Sequence, residues 1–351
     1  MHPVFVAAYV FIVFSAAMEF VNPFSSYEVI GSFAQIISGA LLVASLCRDR
    51  DALKVLLYGY IGAALWLGAI LFLTTYGGLS GAVATNFDEA STVRAEAFKD
   101  IPLQVGVNSF AFHCVQGGIV AVAFALGSAS VRGRNVFTLI GGFCLVASTL
   151  PMSRAALINA MVSCGAVLKV YGMKKGNAWL LVGLLAVGGL LFVPDAIWSR
   201  MSVTTKEEGK QDSHVTYLEQ AIESIDEYVL TGVGTGNYSK KWGFEHGFGK
   251  KHAGSYRVYA VHNAFLQVWI YWGIISLLAF LAVIWQAYRC LPRSYSNDPL
   301  ALGMLGVATS LLIMMPFSAS FTTKGLSLGL GMLVAYQRWL APGSVAQLEK
   351  R

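Results

Sequence analysis

The chain has 351 residues, of which 56% are hydrophobic and only 13% are charged. Soluble domains carry about 25% charged residues, so a water-soluble fold of this length is excluded. The formal net charge is +6, but the basic residues are dispersed along the chain, which argues against a nucleic-acid-binding protein. The composition, with 36 glycines that allow close helix packing, predicts an all-α, polytopic transmembrane helical bundle.

A transmembrane helix needs about 20 mainly apolar residues, and about ten segments of the sequence meet this rule. In chain order they are residues 3–21, 28–46, 53–75, 108–128, 135–151, 153–171, 178–196, 263–287, 299–319 and 323–341. We therefore expect a single integral membrane domain that covers residues 1–351. A large loop, residues 197–262, lies within it.

Clusters of lysine and arginine predict the orientation. They follow the second, fourth, sixth and eighth spans, at Arg48, Arg50, Lys54, Arg132, Arg134, Lys174, Lys175, Arg289 and Arg293. With an even number of spans, all of these clusters fall on one side of the membrane, which should be cytoplasmic. Both termini are then cytoplasmic, and the large loop lies on the opposite face.

One amphipathic helix is predicted within the large loop. Its apolar residues recur at spacings of three and four, at Val215, Leu218, Ile222, Ile225 and Val229. Asp212 or Ser213 is suited to begin this helix and Gly232 to end it. We expect the helix to lie on the membrane surface or on the bundle.

A glycine-rich segment, Gly232-Val-Gly-Thr-Gly236, follows the predicted helix. A G-x-G pattern is a nucleotide-binding fingerprint only between a strand and a helix of a βαβ unit, which the sequence does not predict here. The glycines are therefore expected to form a tight turn.

The next stretch of the loop mixes aromatic and basic residues, among them Lys240, Lys241, Trp242 and Arg257. One interpretation is a solvated loop. The other is a surface for a glycan that carries a phosphate, because flat rings cover sugar faces and cations bind the anion.

Three ionisable side chains lie at the ends of predicted spans. Arg154 is either an interfacial anchor or an anion-binding clamp, because guanidinium binds phosphate with two parallel hydrogen bonds. Arg200 either anchors a helix end or faces a lipid phosphate, and Glu19 is expected to reach the interface.

His262, followed by Asn263, lies at the mouth of the eighth predicted span. Histidine titrates near neutral pH, so it can take a proton from an attacking hydroxyl group. These two residues form the strongest local signal for catalysis.

Three stretches, in this order, resemble the bacterial O-antigen ligase and O-antigen polymerase superfamily of membrane glycosyltransferases. They are Ser153-Arg154-Ala-Ala-Leu157, the Gly-x-Gly-x-Gly segment within 230–238, and His262-Asn263-Ala-Phe-Leu266 with its following Gly273-Ile-Ile. Together they cover roughly residues 140–290, whereas the N-terminal third is similar only in hydropathy.

The resemblance implies a GT-C-like bundle in the bacterial inner membrane with a periplasmic active site. The donor would be a glycan linked to undecaprenyl pyrophosphate, and the acceptor a hydroxyl group of a glycan or lipid. Arg154 would bind the pyrophosphate leaving group, and His262 would be the general base or position the acceptor. The reaction would invert the anomeric configuration and would need no metal and no cofactor.

The sequence departs from the family pattern at His214, where members often carry a second arginine. Arg200, Arg257 or a loop lysine can take over its role as a phosphate ligand. This departure favours a polymerase slightly over a ligase that transfers to the lipid A core. A secondary transporter is the alternative from another class, although its charged sites are typically near the membrane midplane rather than at one face.

Overall fold

The computed structural model describes residues 1–77, 107–151, 153–172, 213–252, 255–291, 298–318 and 323–340. Within these ranges the chain divides into two compact units. The first unit comprises Met1–Arg48, Lys206–Leu291 and Met315–Arg351, and the second comprises Asp49–Thr205 and Pro292–Met314.

Helices form nearly all of the described secondary structure, as predicted. They are α1 (Pro3–Val21), α2 (Glu28–Leu46), α3 (Arg50–Gly77), α4 (Val107–Gly127), α5 (Val131–Ala147), α6 (Arg154–Tyr171), α7 (Ser213–Glu223), α8 (Ile225–Tyr228), α9 (Ala264–Arg289), α10 (Pro299–Met314) and α11 (Lys324–Ala335). Short helical turns lie at Thr235–Asn237, Tyr238–Trp242, Gly243–Glu245, Met315–Phe317 and Tyr336–Leu340. An antiparallel hairpin of β1 (Gly249–His252) and β2 (Ser255–Val258), with Lys250 opposite Arg257, is an addition that the sequence did not predict.

Seven of the described helices are long and apolar enough to cross a membrane, namely α1, α2, α3, α4, α6, α9 and α10 with its following turn. The chain is therefore a multi-pass membrane protein. Of the other predicted spans, 135–151 corresponds to α5 with 17 residues and 323–341 to α11 with 12 residues. The span predicted at 178–196 lies outside the described residues, so the count of ten and the orientation stay predictions.

In the first unit, α1 packs against α9, and α2 packs against α11. An aromatic cluster joins α1, α2 and α9: the ring of Phe11 lies 4.7 Å from Phe33, 5.7 Å from Trp272 and 5.4 Å from Phe280, centroid to centroid. These four side chains are buried. Edge-on aromatic contacts of this kind add to the apolar burial, so α1 is fixed to the middle of α9.

In the second unit, α4 is the central helix, and it packs against α3, α5, α6 and α10. A Cβ atom on Gly117 would collide with the backbone of Tyr60, so the glycine permits close contact between α4 and α3. The buried amide of Asn159 on α6 donates to the backbone and hydroxyl oxygens of Ser310 on α10, at 3.1 and 3.0 Å. Ser163 completes this network by donating to the Asn159 side chain. The network fixes the helix that begins at Arg154.

Candidate active site

The glycine-rich segment forms a tight turn, as predicted. Gly232 and Gly234 have φ angles of +72° and +77°, which glycine adopts without the steric cost that other residues bear. A Cβ atom on Gly232 would meet the backbone of Tyr271, and one on Gly236 would meet the carbonyl oxygen of Phe24. The turn is therefore built for close contact with two other backbone segments.

One of these segments is a kink in α9 at Gly273, whose φ of 76° and ψ of −176° are not helical. The kink frees backbone groups that a regular helix would pair internally. The carbonyl oxygen of Ile270 accepts from the Val233 amide at 2.8 Å, and that of Tyr271 accepts from Gly234 at 2.9 Å. The amide of Ile274 donates in turn to an oxygen of the loop, that of Val229, at 2.9 Å.

The loop thus replaces the missing helical hydrogen bonds of α9. Leu230 approaches the kink so closely that a Cβ atom on Gly273 would collide with its carbonyl group. The indole of Trp269 also donates to the Val229 carbonyl oxygen, at 3.1 Å. The start of α9, residues 264–272, is therefore held by the loop rather than by the rest of its own helix.

The second segment is the connection after α1 that contains Phe24, and next to it the carboxylate of Glu19, near the end of α1, is fully buried. Its Oε2 accepts hydrogen bonds from the Thr235 amide at 2.8 Å and from the Trp272 indole at 2.9 Å. Its Oε1 accepts from the amides of Ser26 at 2.8 Å and Gly236 at 3.2 Å. The prediction that Glu19 reaches the interface is wrong, because four donors inside the protein replace water around its carboxylate.

An aromatic core supports the remainder of the loop. It contains the buried residues Tyr217, Ala221, Tyr228, Val233, Tyr238, Trp242, Phe248, Val261 and Ile270. Trp242 is 5% exposed, and its ring stacks on Phe248 at 5.7 Å. Trp242 therefore packs in the interior of the loop and does not present an open ring face for a sugar.

The predicted loop helix is present as α7 and α8. Leu218 and Ile222 are 43% and 56% exposed, whereas Tyr217, Ala221 and Tyr228 face the aromatic core. The hydroxyl of Tyr228 donates to the Ala221 carbonyl oxygen at 2.5 Å, and its burial raises its pKa to about 12. Leu218 and Ile222 therefore lie outside this core, whereas Ile225 packs against it, and the contact of this helix with the membrane surface or the bundle stays a prediction.

His262 lies directly before α9 and has a left-handed backbone, with φ of +57°. This conformation costs about 1 to 2 kcal/mol for a residue other than glycine, so the neighbours must enforce it. Asn263 caps the helix, since its Oδ1 accepts from the amides of Phe265 and Leu266 at 3.0 and 3.1 Å. On the other side, the Val261 amide donates to the side chain of the buried Gln267 at 2.7 Å.

These contacts fix the backbone on both sides of His262. The imidazole is only partly buried, so it can meet a substrate. Strained backbone of this kind clusters at functional sites, where the surrounding structure fixes a side chain in one direction.

Arg154 is the first residue of α6, in the second unit. The hydroxyl of Ser153 caps this helix by accepting from the Ala156 amide at 3.4 Å. The positive end of a helix favours anions, so the guanidinium and the helix dipole would both attract an anion at this position. Arg154 is partly buried.

The other predicted site residues lie in several places. Lys240 and Lys241 are exposed; the Lys240 ammonium lies 5.6 Å from the ring centroid of Phe24, and that of Lys241 lies 4.0 Å from Glu245. The backbones of His214 and Arg257 belong to α7 and β2, and their side chains lie outside the described part of the structure. Arg200 lies outside the described residues altogether.

A family model described as O-antigen ligase matches residues 136–281. Residues 136–281 are therefore similar to an O-antigen ligase domain. A solved structure titled "Structural coordination of polymerization and crosslinking by a peptidoglycan synthase complex" is similar with a TM-score of 0.47 and 18% sequence identity, over 94% of this chain and 96% of that chain. Likeness at this level supports no conclusion about function. No curated protein sequence matches the chain.

The O-antigen ligase domain confirms the predicted superfamily and implies a glycosyltransferase of the O-antigen ligase or polymerase type. It contains Arg154, the glycine turn, His262 and Asn263. Glu19 lies outside the matched residues, although its carboxylate binds the glycine turn inside them. An acidic residue at the end of an apolar span was the available signal for Glu19, because such residues usually have a function.

Replacing Gly236 with alanine is expected to destabilise the O-antigen ligase domain, because the new Cβ atom would overlap the Phe24 carbonyl oxygen. Overpacking of this kind costs about 1 to 3 kcal/mol. The purified variant should unfold at a lower temperature in detergent than the wild-type protein.

Gly31→Ala is the matched control, since no described atom lies within 4 Å of its added Cβ atom. Alanine also favours a helix over glycine, and Gly31 lies inside α2. Equal unfolding temperatures for both variants would show that the turn does not need glycine at position 236.

A second prediction concerns the pH dependence of the loop. The Trp242 indole donates to Glu227 at 2.5 Å, and His246 lies 3.1 Å from the same carboxylate. The hydrogen bond from Trp242 is the main cause that lowers the pKa of Glu227 below its usual value, and the contact with His246 acts in the same direction. Partial burial of the carboxylate acts in the opposite direction. The folded loop is therefore stabilised above about pH 4.3, the usual pKa of a glutamate, and loses this contribution as the pH falls through the lowered value.

Glu227→Gln should therefore increase amide hydrogen exchange of the loop at pH 7, with a modest effect because the carboxylate is half exposed. The difference from wild type should shrink as the pH falls through the lowered pKa of Glu227, because below it the carboxylate is protonated in both the folded and the unfolded wild-type protein. Glu245→Gln is the control, because its exposed side chain contacts only the exposed Lys241 among the described ion pairs. A difference that stays constant with pH would contradict this account of Glu227.

Proposed function

We propose that the protein transfers a glycan from an undecaprenyl-pyrophosphate-linked donor to an acceptor hydroxyl at the periplasmic face of the bacterial inner membrane. The observation that carries this proposal is the O-antigen ligase domain, which contains both Arg154 and the His262-Asn263 pair. The helices that are suited to cross a membrane support a lipid-linked donor, since the lipid part of such a donor stays in the bilayer.

In this proposal Arg154 binds the pyrophosphate. Guanidinium keeps its charge and pairs with phosphate oxygens through two hydrogen bonds, and the start of α6 adds its dipole. Negative charge grows on the leaving group as the bond between the sugar and the phosphate breaks. A fixed cation at that position lowers the barrier because it stabilises the transition state more than the ground state.

His262 acts as the general base. The acceptor hydroxyl attacks the anomeric carbon from the face opposite the pyrophosphate, and His262 takes the hydroxyl proton. A new glycosidic bond forms, the bond to phosphate breaks, and undecaprenyl pyrophosphate leaves with the bonding electrons. Attack from the opposite face inverts the anomeric configuration.

The remaining cations contribute to donor binding. Lys240 and Lys241 are exposed in the loop and attract the anionic donor, and Arg200, Arg257 and His214 are candidates for a second phosphate contact. Asn263 acts by fixing the backbone beside His262. The proposed chemistry assigns no step to a metal or cofactor, so the rate should be the same with and without EDTA.

We assign the acceptor to a growing polysaccharide, which makes the protein a polymerase, because a histidine at position 214 departs from the ligase-like pattern. The second candidate is a ligase that transfers to the lipid A core, which the description of the matching family favours. Both candidates share the donor and the proposed roles of Arg154 and His262.

The test is incubation of the purified protein with lipid-linked repeat units alone. Lengthening of the glycan supports the polymerase. Transfer that requires added lipid A core supports the ligase. If the protein transfers no glycan under either condition and shows counterflow of a solute in liposomes, it is a transporter rather than an enzyme.

A further inference from the structure

We propose that Glu19 is a positioning residue of the transferase, whose buried carboxylate holds the segment that carries His262. This inference rests on the proposed function for its activity measurements. It concerns α1, a helix outside the O-antigen ligase domain, and a side chain that touches no reacting atom in the proposed chemistry.

The carboxylate of Glu19 is surrounded by hydrogen-bond donors. Glu19 accepts four hydrogen bonds, two at each oxygen, from three backbone amides and one indole. Its side chain is fully buried. Burial of a charge is costly unless hydrogen bonds compensate it, and here each carboxylate oxygen has two donors. A side chain that served only to fill space at the end of α1 would not need four hydrogen-bond donors.

The carboxylate of Glu19 joins two parts of the loop and α9. Thr235 and Gly236 belong to the glycine turn, and Trp272 is the last residue of α9 before its kink. Glu19 therefore binds the turn and the kink at the same time. Both are already paired through backbone hydrogen bonds, so the carboxylate closes a three-part junction of α1, the turn and α9.

This junction lies at the opposite end of a short helical segment from His262. The kink separates residues 264–272 from the rest of α9, and His262 precedes this short helical segment directly. One end of the segment is fixed by Asn263 and Gln267, and the other by Glu19 through the Trp272 indole. A change at Glu19 is therefore expected to rotate or loosen the segment and displace the imidazole of His262.

The glycines of the turn allow its backbone to bind the Glu19 carboxylate. Adjacent backbone amides that point at one anion form an anion-binding concavity, which elsewhere binds phosphate. Here the concavity of residues 234–236 binds a carboxylate of the same chain. A Cβ atom on Gly234 would also lie 2.7 Å from the Cβ atom of Asn22, which explains why α1 can approach so closely.

The test is Glu19→Gln, which keeps the side-chain shape but turns an amide NH₂ toward two of the four donors. We expect kcat of glycan transfer to fall by about 10- to 100-fold, the range that small displacements of a catalytic group produce. KM for the lipid-linked donor should stay unchanged, because the donor contacts are assigned to Arg154 and the loop cations. A rise in KM with unchanged kcat would overturn the proposal.

Ser15→Ala is the matched control. Ser15 lies one turn earlier on α1, is fully buried, and its hydroxyl has no hydrogen-bond partner among the described residues. Its variant should transfer glycan at the wild-type rate. A loss equal to that of Glu19→Gln would overturn the proposal, because it would show that any change at the end of α1 has this effect.

Trp272→Phe is the second variant, and it decides the outcome if Glu19→Gln fails to accumulate. It keeps an aromatic ring in the cluster with Phe11 but removes one of the four donors. We expect a smaller loss of kcat in the same direction with unchanged KM. Wild-type kcat in this variant would overturn the proposal.

Amide hydrogen exchange separates this proposal from the proposed function, because it needs no activity. Glu19→Gln should increase exchange at Val233 and Gly234, whose amides pair with the α9 kink, while α2 and α11 remain protected. Increased exchange in a protein that transfers no glycan would contradict the proposed function alone. Unchanged exchange would contradict the role of Glu19, whatever the wild-type protein transfers.

Discussion

Replacing His262 with alanine is expected to lower kcat by about 10²- to 10⁴-fold, the usual contribution of general acid–base catalysis. The reason is that the proposed chemistry assigns the proton transfer to His262, whose backbone is fixed by the Asn263 cap and the Val261–Gln267 hydrogen bond. KM for the donor should change little. The measurement is the rate of glycan transfer by the purified variant at saturating donor.

The control for His262 must separate the side chain from the unusual backbone. His262→Asn serves this purpose, because asparagine tolerates the left-handed conformation better than most residues but has no group that titrates near neutral pH. We expect His262→Asn to unfold at the wild-type temperature and to be as inactive as His262→Ala. Wild-type activity in His262→Asn would show that His262 contributes only through its backbone.

Replacing Arg154 with alanine is expected to lower kcat by about 10²- to 10³-fold, comparable to loss of one preorganised donor to a developing negative charge. Arg154→Lys should recover part of the rate, because an ammonium keeps the charge but loses the two parallel hydrogen bonds of guanidinium. The loss of kcat should appear with donors that carry pyrophosphate. The measurement is again transfer by purified protein, with thermal unfolding as the test of intact structure.

Lys169→Ala is the control for Arg154. Lys169 is an exposed cation in the last turn of the same helix, α6, about 15 residues from Arg154 and thus roughly 22 Å along the helix. It should transfer glycan at the wild-type rate. Equal losses in both variants would mean that α6 needs positive charge in general rather than a phosphate ligand at its start.

The helices were the part of the fold that the sequence predicted best. The predicted spans 3–21 and 28–46 coincide with α1 and α2 residue for residue. A bilayer requires about 20 apolar residues in each span, so composition and length are sufficient to find such helices. The kink at Gly273 could not be found in this way, because hydropathy does not change there.

The loop illustrates where periodicity fails. The spacing of Leu218 and Ile222 predicted a helix correctly, but it did not show which side chains form the core of the loop. The helix turns Tyr217 inward instead, where its ring stacks on Phe248 at 5.5 Å. That contact joins residues far apart in sequence, and a pattern within one helix contains no information about it.

His262 and Arg154 were assigned to the candidate site from residue type, position at a span end and the resemblance to a family, and their roles stay predictions. Glu19 was assigned no role, because three of its four donors, in Thr235, Gly236 and Trp272, lie more than 200 positions away. Trp242 was expected to face a sugar, but its ring is buried in the core of the loop, which joins residues far apart in the sequence.

The most direct test of the central claim is to count the products of one reaction. Purified protein is incubated with the undecaprenyl-pyrophosphate-linked glycan and acceptor, and the released undecaprenyl pyrophosphate is measured together with the new glycosidic bonds. The proposed chemistry predicts one released lipid pyrophosphate for each bond formed by the wild-type protein, and almost none of either product with His262→Asn. New glycosidic bonds without release of undecaprenyl pyrophosphate, or equal rates in the variant, would contradict it.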